Sequence, residues 1–214
     1  VNKDWFLRCI EAFEQNLEIS LVWGFPKWMT ENGTLGELCL PHFKFIKPPQ
    51  KYDWLTSWLA TGDTLPNGNF CIKKKVFEIC NPSLEKTKKG QELFDFNYNF
   101  NTGGYLPYNI PVVADFGREH EGQLSKNWAQ QGVYTEIIKR YRQNIDNYRQ
   151  QLISGKVVHK YKSGDGKILE HKFSKEKIRK VDKYKYRSLI MTSLLAQRGP
   201  YKLKKIITDL FRCA

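Results

Sequence analysis

The stretch Val133–Phe173, VYTEIIKRYRQNIDNYRQQLISGKVVHKYKSGDGKILEHKF, sets a long helix directly beside a β-hairpin and decides the class of the fold. Val133, Ile137, Tyr141, Ile145, Tyr148 and Leu152 recur three or four residues apart, the spacing of one helical face. Lys139, Arg140, Arg142 and Arg149 fall off that stripe and are expected to face solvent. Gly155 follows the last apolar position, where a helix end favours a residue free to take positive φ. Two β-prone runs then flank the turn sequence Ser163-Gly164-Asp165-Gly166, so Val157 to Phe173 reads as a hairpin.

Working toward the N-terminus, Asp4 to Leu17 reads as a helix with Trp5, Phe6, Cys9, Ile10, Phe13 and Leu17 on one face. Ile19 to Phe25 has the length and apolarity of a buried strand, and Leu35 to Ile46 reads as one or two strands closed by Pro48 and Pro49. Tyr52 to Ala60 is a short helix carrying Trp54, Leu55, Trp58 and Leu59. Leu65-Pro66-Asn67-Gly68 is turn chemistry, Phe70 to Ile79 reads as extended, Gly103-Gly104 breaks the chain, and Ile110 to Phe116 is a buried strand. Beyond the hairpin, Ser174 is placed to cap a helix with Ile178, Val181, Leu189 and Ile190 on its apolar side. Gly199-Pro200 stops it, and Tyr201 to Phe211 forms a last short helix. The expectation is an α+β fold: a mixed, aromatic-rich body over residues 1–132, with a basic helix–β-hairpin–helix–helix region over residues 133–214 packed on it.

Charge divides the chain at the same place. Val1 to Thr135 holds 14 Lys+Arg and 15 Asp+Glu, whereas Glu136 to Ala214 holds 21 and 7, so the overall +13 arises from the second part alone. All six Trp lie between Trp5 and Trp128. With 41% hydrophobic and 14% aromatic residues, a 214-residue chain has enough apolar surface for a core. No apolar run approaches the roughly 18–20 residues that span a bilayer. The chain opens on Val1 with neither a start methionine nor a signal-peptide pattern, as a processed chain or an excised fragment would. Its five cysteines are odd in number and scattered, which suits an intracellular, reducing compartment better than a disulfide framework. Asn32-Gly33-Thr34 has the form of a glycosylation sequon, but Asn-Gly is also turn chemistry, and the turn is the expectation.

A one-signed basic segment is the electrostatic footprint of a polyanion-binding surface, and nucleic acid is the polyanion this pattern favours over an anionic membrane. Each ammonium or guanidinium placed on a phosphate releases condensed counterions. Lys160, Lys162 and Lys172 on the hairpin supply such contacts, as do Lys175, Arg179, Lys183 and Arg187 on the helix after it. Lys202, Lys204 and Lys205 on the last helix complete the set. Tyr161, Tyr184 and Tyr186 lie among them and can stack on bases of a single strand. Ser188 to Phe211, two helices about Gln197-Arg198-Gly199-Pro200, resembles the first two helices of a winged-helix or helix-turn-helix unit, but lacks the further helix and wing of that type. These features fit part of a replication, mobile-element, viral or restriction-type protein. The plain alternative is a solvated tail that aids solubility, beside an aromatic body that binds a small ligand or another protein.

Three sets of residues carry candidate chemistry. Asp115, Glu119 and Glu121 follow the apolar run Ile110–Ala114 and can hold the magnesium or manganese ion of a metal-dependent nuclease; the same acids also suit a polar loop entering a helix. Cys39 and His42 have knuckle spacing, and Cys71 and Cys80 can complete a zinc tetrahedron, although free cysteine is commonly buried as a small apolar residue. Glu170-His171-Lys172 resembles one element of the restriction-type nuclease core, whose partner aspartate is represented only by Asp165 in the turn; His159 and His171 are expected to face each other across the hairpin. Walker, Rossmann, nucleophile-elbow and zinc-deaminase patterns are absent.

Overall fold

β1 (Leu21–Met29) has strands on both of its edges and helices over both of its faces. Leu21 and Trp23 point to one side and Val22 to the other, the two-residue period of a strand. Burial on both faces is why this run reads as almost continuously apolar. The computed structural model describes residues 4–30, 32–38, 50–62, 64–65, 69–81, 91–118 and 133–178. Through them run α1 (Trp5–Gln15), β1, β2 (Leu35–Leu38), α2 (Lys51–Thr61), β3 (Phe70–Ile72) and α3 (Lys74–Cys80). α4 (Glu92–Thr102), β4 (Pro107–Arg118), α5 (Val133–Ser154), β5 (Lys160–Lys162) and β6 (Ile168–Lys172) follow. The fold is α+β, as the mixture of periods requires.

β4 runs parallel to β1, while β3 and β2 pair antiparallel with its first and second halves. Asn32 and Gly33 form the turn between β1 and β2, closed by Thr34 N–H to the Thr30 hydroxyl at 3.0 Å. The outer side of β4 at Asn109 is occupied by a side chain. Gln50 accepts the Asn109 N–H at 2.7 Å and donates to its carbonyl at 3.2 Å, acting as one residue of a further strand.

Three apolar clusters fill the layers. One joins Leu21 and Trp23 to Trp54 of α2 and Phe96 and Phe100 of α4. A second, on the opposite face of β1, holds Trp5, Cys9 and Ala12 of α1 with Val22 and Ala114. The third joins Leu55, Trp58 and Leu59 of α2 to Tyr141, Ile145, Tyr148 and Leu152 of α5, with Tyr161 and Ile178. α2 thus shows Trp54 to one core and Trp58 to another, and the buried stripe of α5 lies against the second. The Trp58 indole donates to the Tyr141 hydroxyl at 2.7 Å across this contact.

Several expectations change. α1 buries Trp5, Cys9 and Ala12, leaving Phe6, Ile10 and Leu17 exposed, because β1 and β4 cover a narrower stripe than the helix offers. Phe70–Ile79 is extended for three residues only; Val76 and Cys80, one helical turn apart, then bury as part of α3. Arg149 is buried, not solvent-facing, while Lys139 and Arg140 are exposed as expected. The second segment of Leu35–Ile46, the turn at 66–68 and the helices past Ile178 lie outside the described residues.

Candidate nucleic-acid interface

α5 ends at Gly155, whose φ of +77° turns the chain back toward the hairpin. The hairpin closes through Ser163, whose N–H donates to the Lys167 carbonyl at 2.9 Å and whose hydroxyl meets Asp165. That contact, with Lys167 beside it, holds the exposed Asp165 carboxyl down at about 2. β5 then docks on the body. Lys162 N–H donates to the Gly104 carbonyl at 2.8 Å, and Gly104, at φ +84°, lies so close to the Lys160 carbonyl that no side chain fits between them. Beyond the hairpin, a helical turn begins at Lys175, and Lys177 reaches Asp53 of α2 at 3.0 Å.

This anchoring fixes which side chains meet water. Lys160 and Lys172 are partners in the β5–β6 ladder and both are exposed. Lys156, Lys167, Lys175 and Lys177 are exposed around them. Lys162 is half-buried, its ammonium 5.8 Å from the centre of the Tyr105 ring. Arg179, Lys183, Arg187, Lys202, Lys204 and Lys205 lie outside the described residues, as do Tyr184 and Tyr186.

The aromatic side chains are arranged differently from the expectation. Tyr161 is buried, 2% exposed, with its hydroxyl donating to the Tyr52 carbonyl at 3.2 Å, so it is not a stacking surface. The exposed ring is His171, stacked on Tyr52 with centroids 3.8 Å apart. The two histidines do not face each other: His159 packs on Phe173, and His171 lies beside Tyr161. His159 is buried with its Nδ1 at 2.8 Å from the Tyr148 hydroxyl. Burial, with the nearby Lys162 charge, lowers its pKa to about 4, so the ring is neutral at pH 7. Sequence patterning missed the Tyr148–His159 pair, since it joins two elements across a turn.

The candidate metal sets are placed only in part. Asp115 is half-buried on β4 opposite Pro26; Glu119 and Glu121 lie outside the described residues. Cys39 and His42 do as well. Cys71 and Cys80 belong to different clusters. Cys71 meets Cys9, whose thiol donates to its sulfur; that contact lowers the Cys71 pKa and raises that of Cys9. Burial pushes Cys80 up to about 12. Among the described residues, no three His, Cys, Asp or Glu side chains converge as a metal-binding group. Nor, among them, is any helix long and apolar enough to cross a membrane.

Comparison with known protein families, curated proteins and solved structures finds no match to this chain.

Proposed function

We propose that the chain is a nucleic-acid-binding module whose β5–β6 hairpin contacts phosphates. The observation that carries this reading is the ladder pair Lys160–Lys172. Like charges directly opposite on a strand pair destabilise the hairpin. Here the pair sits among four further exposed lysines, 156, 167, 175 and 177, at a place where the backbone is pinned to the body. A solvated tail needs no such anchoring, whereas a phosphate-binding surface gains from it: lysines carried on a fixed backbone lose less freedom on binding than lysines on a mobile one. His171 on Tyr52 adds an exposed ring beside the lysines, suited to base contact. The buried thiols Cys9 and Cys80 fit the same protein working in an intracellular, reducing compartment.

The test is a salt series of binding to labelled single-stranded and duplex DNA and RNA. Log affinity should fall linearly with log salt, by about 0.7–0.9 per phosphate neutralised. Lys160→Glu with Lys172→Glu should flatten that slope by at least about 1. Arg8→Glu on the exposed face of α1 should leave the slope unchanged. If Arg8→Glu flattens the slope in proportion to its charge change, half that of the double variant, net charge and not this surface drives binding. No binding at low salt would remove the proposal.

A further inference from the structure

Cys9 and Cys71 belong to elements far apart in the sequence and meet between α1 and the sheet. In β3 the side chains alternate: Phe70 and Ile72 pack against the cluster shared with α2 and α4, and Cys71 packs against the cluster under α1. Its ladder partner on β1 is Val22, a member of that same cluster with Trp5, Cys9 and Ala12 of α1. The helical period sets Cys9 one turn after Trp5, so both are directed at the sheet. Trp5, Ala12, Val22 and Ala114 carry no side-chain acceptor for the Cys9 thiol, which donates to the Cys71 sulfur.

The two thiols differ in access. Cys9 is 2% exposed, whereas Cys71 is half-buried and open to small molecules in solvent. The bond donated by Cys9 favours the thiolate of Cys71. A reachable thiolate with a second thiol in contact behind it is the arrangement in which an oxidised sulfur is captured before it can be oxidised further. Cys80 has neither property: it is buried in the cluster on the opposite face of the sheet, and its pKa is pushed up to about 12.

We propose that Cys9 and Cys71 form a peroxide-reactive pair, in which the Cys71 sulfur meets a hydroperoxide and the Cys9 sulfur then closes a disulfide onto it. The inference goes beyond the nucleic-acid reading and stands independently of it. With hydrogen peroxide, the Cys71 thiolate attacks one oxygen: an S–O bond forms, the O–O bond breaks, and the leaving hydroxide takes a proton from solvent to become water. The Cys9 sulfur then attacks the sulfenic sulfur of Cys71: an S–S bond forms, the S–O bond breaks, and the departing hydroxide leaves as water with the Cys9 proton. The two thiols are oxidised to one disulfide, and the peroxide is reduced to two waters. A dithiol reverses the change by exchange. Contact between the sulfurs makes the second step intramolecular, so it outruns attack by another peroxide.

The experiment treats the reduced full chain with hydrogen peroxide at pH 7 for increasing times, alkylates it with iodoacetamide after unfolding, and digests it without reduction. Peptides joined through Cys9 and Cys71 should appear, in a chain that stays monomeric on a non-reducing gel, at least about 10-fold ahead of oxidation at Cys80. Dithiothreitol should restore both thiols. Cys9→Ser should abolish the linked peptides and leave Cys71 as a sulfenic acid that dimedone traps. Cys71→Ser should leave Cys9 a thiol at times that consume it in the unaltered chain. The linked peptides are read on the unaltered chain, so the test stands even where a variant fails to fold. Conversion of Cys71 to a sulfinic acid with Cys9 still a thiol overturns the proposal, as does linkage of Cys71 to Cys39 or Cys213 in place of Cys9. Oxidation of Cys80 in step with Cys71 overturns it too, because peroxide would then be reaching the thiols through unfolding. So does survival of both thiols under conditions that oxidise free cysteine.

Discussion

Lys160 and Lys172 stand opposite each other across the β5–β6 ladder, both exposed, so the hairpin carries a repulsion within its own hydrogen-bonded frame. Reversing one charge turns the pair into an attraction. Lys172→Glu should stabilise the protein by about 0.2–1 kcal/mol in urea unfolding, since opposite charges directly across a ladder contribute that much. The same variant should bind nucleic acid more weakly. Opposite signs in the two measurements are the mark of a residue kept for binding at a cost in stability. A loss in both would assign Lys172 a structural role.

Gly104 fixes where that hairpin sits. A Cβ there would lie 2.0 Å from the Lys160 carbonyl oxygen, and φ is +84°. Gly104→Ala has to separate β5 from the body or distort the bridge from Tyr105 to Lys162. The expected cost is about 3 kcal/mol or more by chemical denaturation. Hydrogen exchange should show it first at Lys162, whose N–H donates to Gly104. Normal protection at Lys162 in the variant would show that the close approach is not needed.

Asn97 ties α4 to the connection after α2. Its carbonyl accepts the buried Leu65 N–H at 2.7 Å, and its amide donates to the Leu93 carbonyl at 2.8 Å. Asn97→Ala leaves that N–H buried without this acceptor, at a cost of about 2–3 kcal/mol. Asn99→Ala, on a half-buried position of the same helix, should cost about 1 kcal/mol by losing its bond to the Cys80 carbonyl. If the two variants unfold at the same denaturant concentration, the Leu65 contact contributes nothing special.

The described thiols should differ in reactivity. Cys71 is half-buried with its thiolate favoured by the Cys9 proton, whereas Cys80 is buried with its thiol pushed up to about 12. Nucleophilic attack needs the thiolate. Limited alkylation with iodoacetamide at pH 7, read by peptide mass, should label Cys71 well before Cys80. Cys9→Ala should slow labelling of Cys71 at pH 7, although it opens space beside it. Faster labelling of Cys80 would contradict the arrangement.

The parts legible in the sequence are those where one element's own period decides. Tyr141, Ile145, Tyr148 and Leu152 bury as their spacing requires, and Ser163–Gly166 makes the expected turn. α4 was hidden because Phe94, Phe96, Tyr98 and Phe100 alternate with polar residues in a strand's rhythm. Its helix is completed by distant partners: Asn97 meets Leu65, and Asn101 accepts the Trp54 indole N–H at 2.7 Å. Tertiary hydrogen bonds outweighed local preference there. The site was legible as charge, through Lys160 and Lys172, but not as shape. Tyr161 alternates with lysines and so looked available for stacking, yet its side of the hairpin faces α2 and α5. The buried place of His159 depends on Gly155, where the chain turns back and brings the hairpin along the end of α5.

His159 gives the fold a defined acid sensitivity. Folded, its pKa is lowered from 6.5 to about 4, chiefly by burial and then by the charge of Lys162. The unfolded chain takes up a proton as pH falls below about 6.5, while the folded chain refuses it until about 4, so the unfolded state binds more protons throughout that window. Stability contributed this way is fully present above pH 6.5 and is lost as pH falls toward 4, by up to about 3 kcal/mol at 1.36 kcal/mol per pKa unit. His159→Gln carries no titrating proton and keeps a side-chain amide for the Tyr148 hydroxyl. Urea midpoints taken between pH 7.5 and 4.5 should fall for the unaltered protein and fall distinctly less for the variant. Carboxylates such as Asp95, whose pKa burial raises, contribute to both slopes alike and cancel in the comparison. Parallel pH dependences would mean that His159 is already protonated or reached by water in the folded protein.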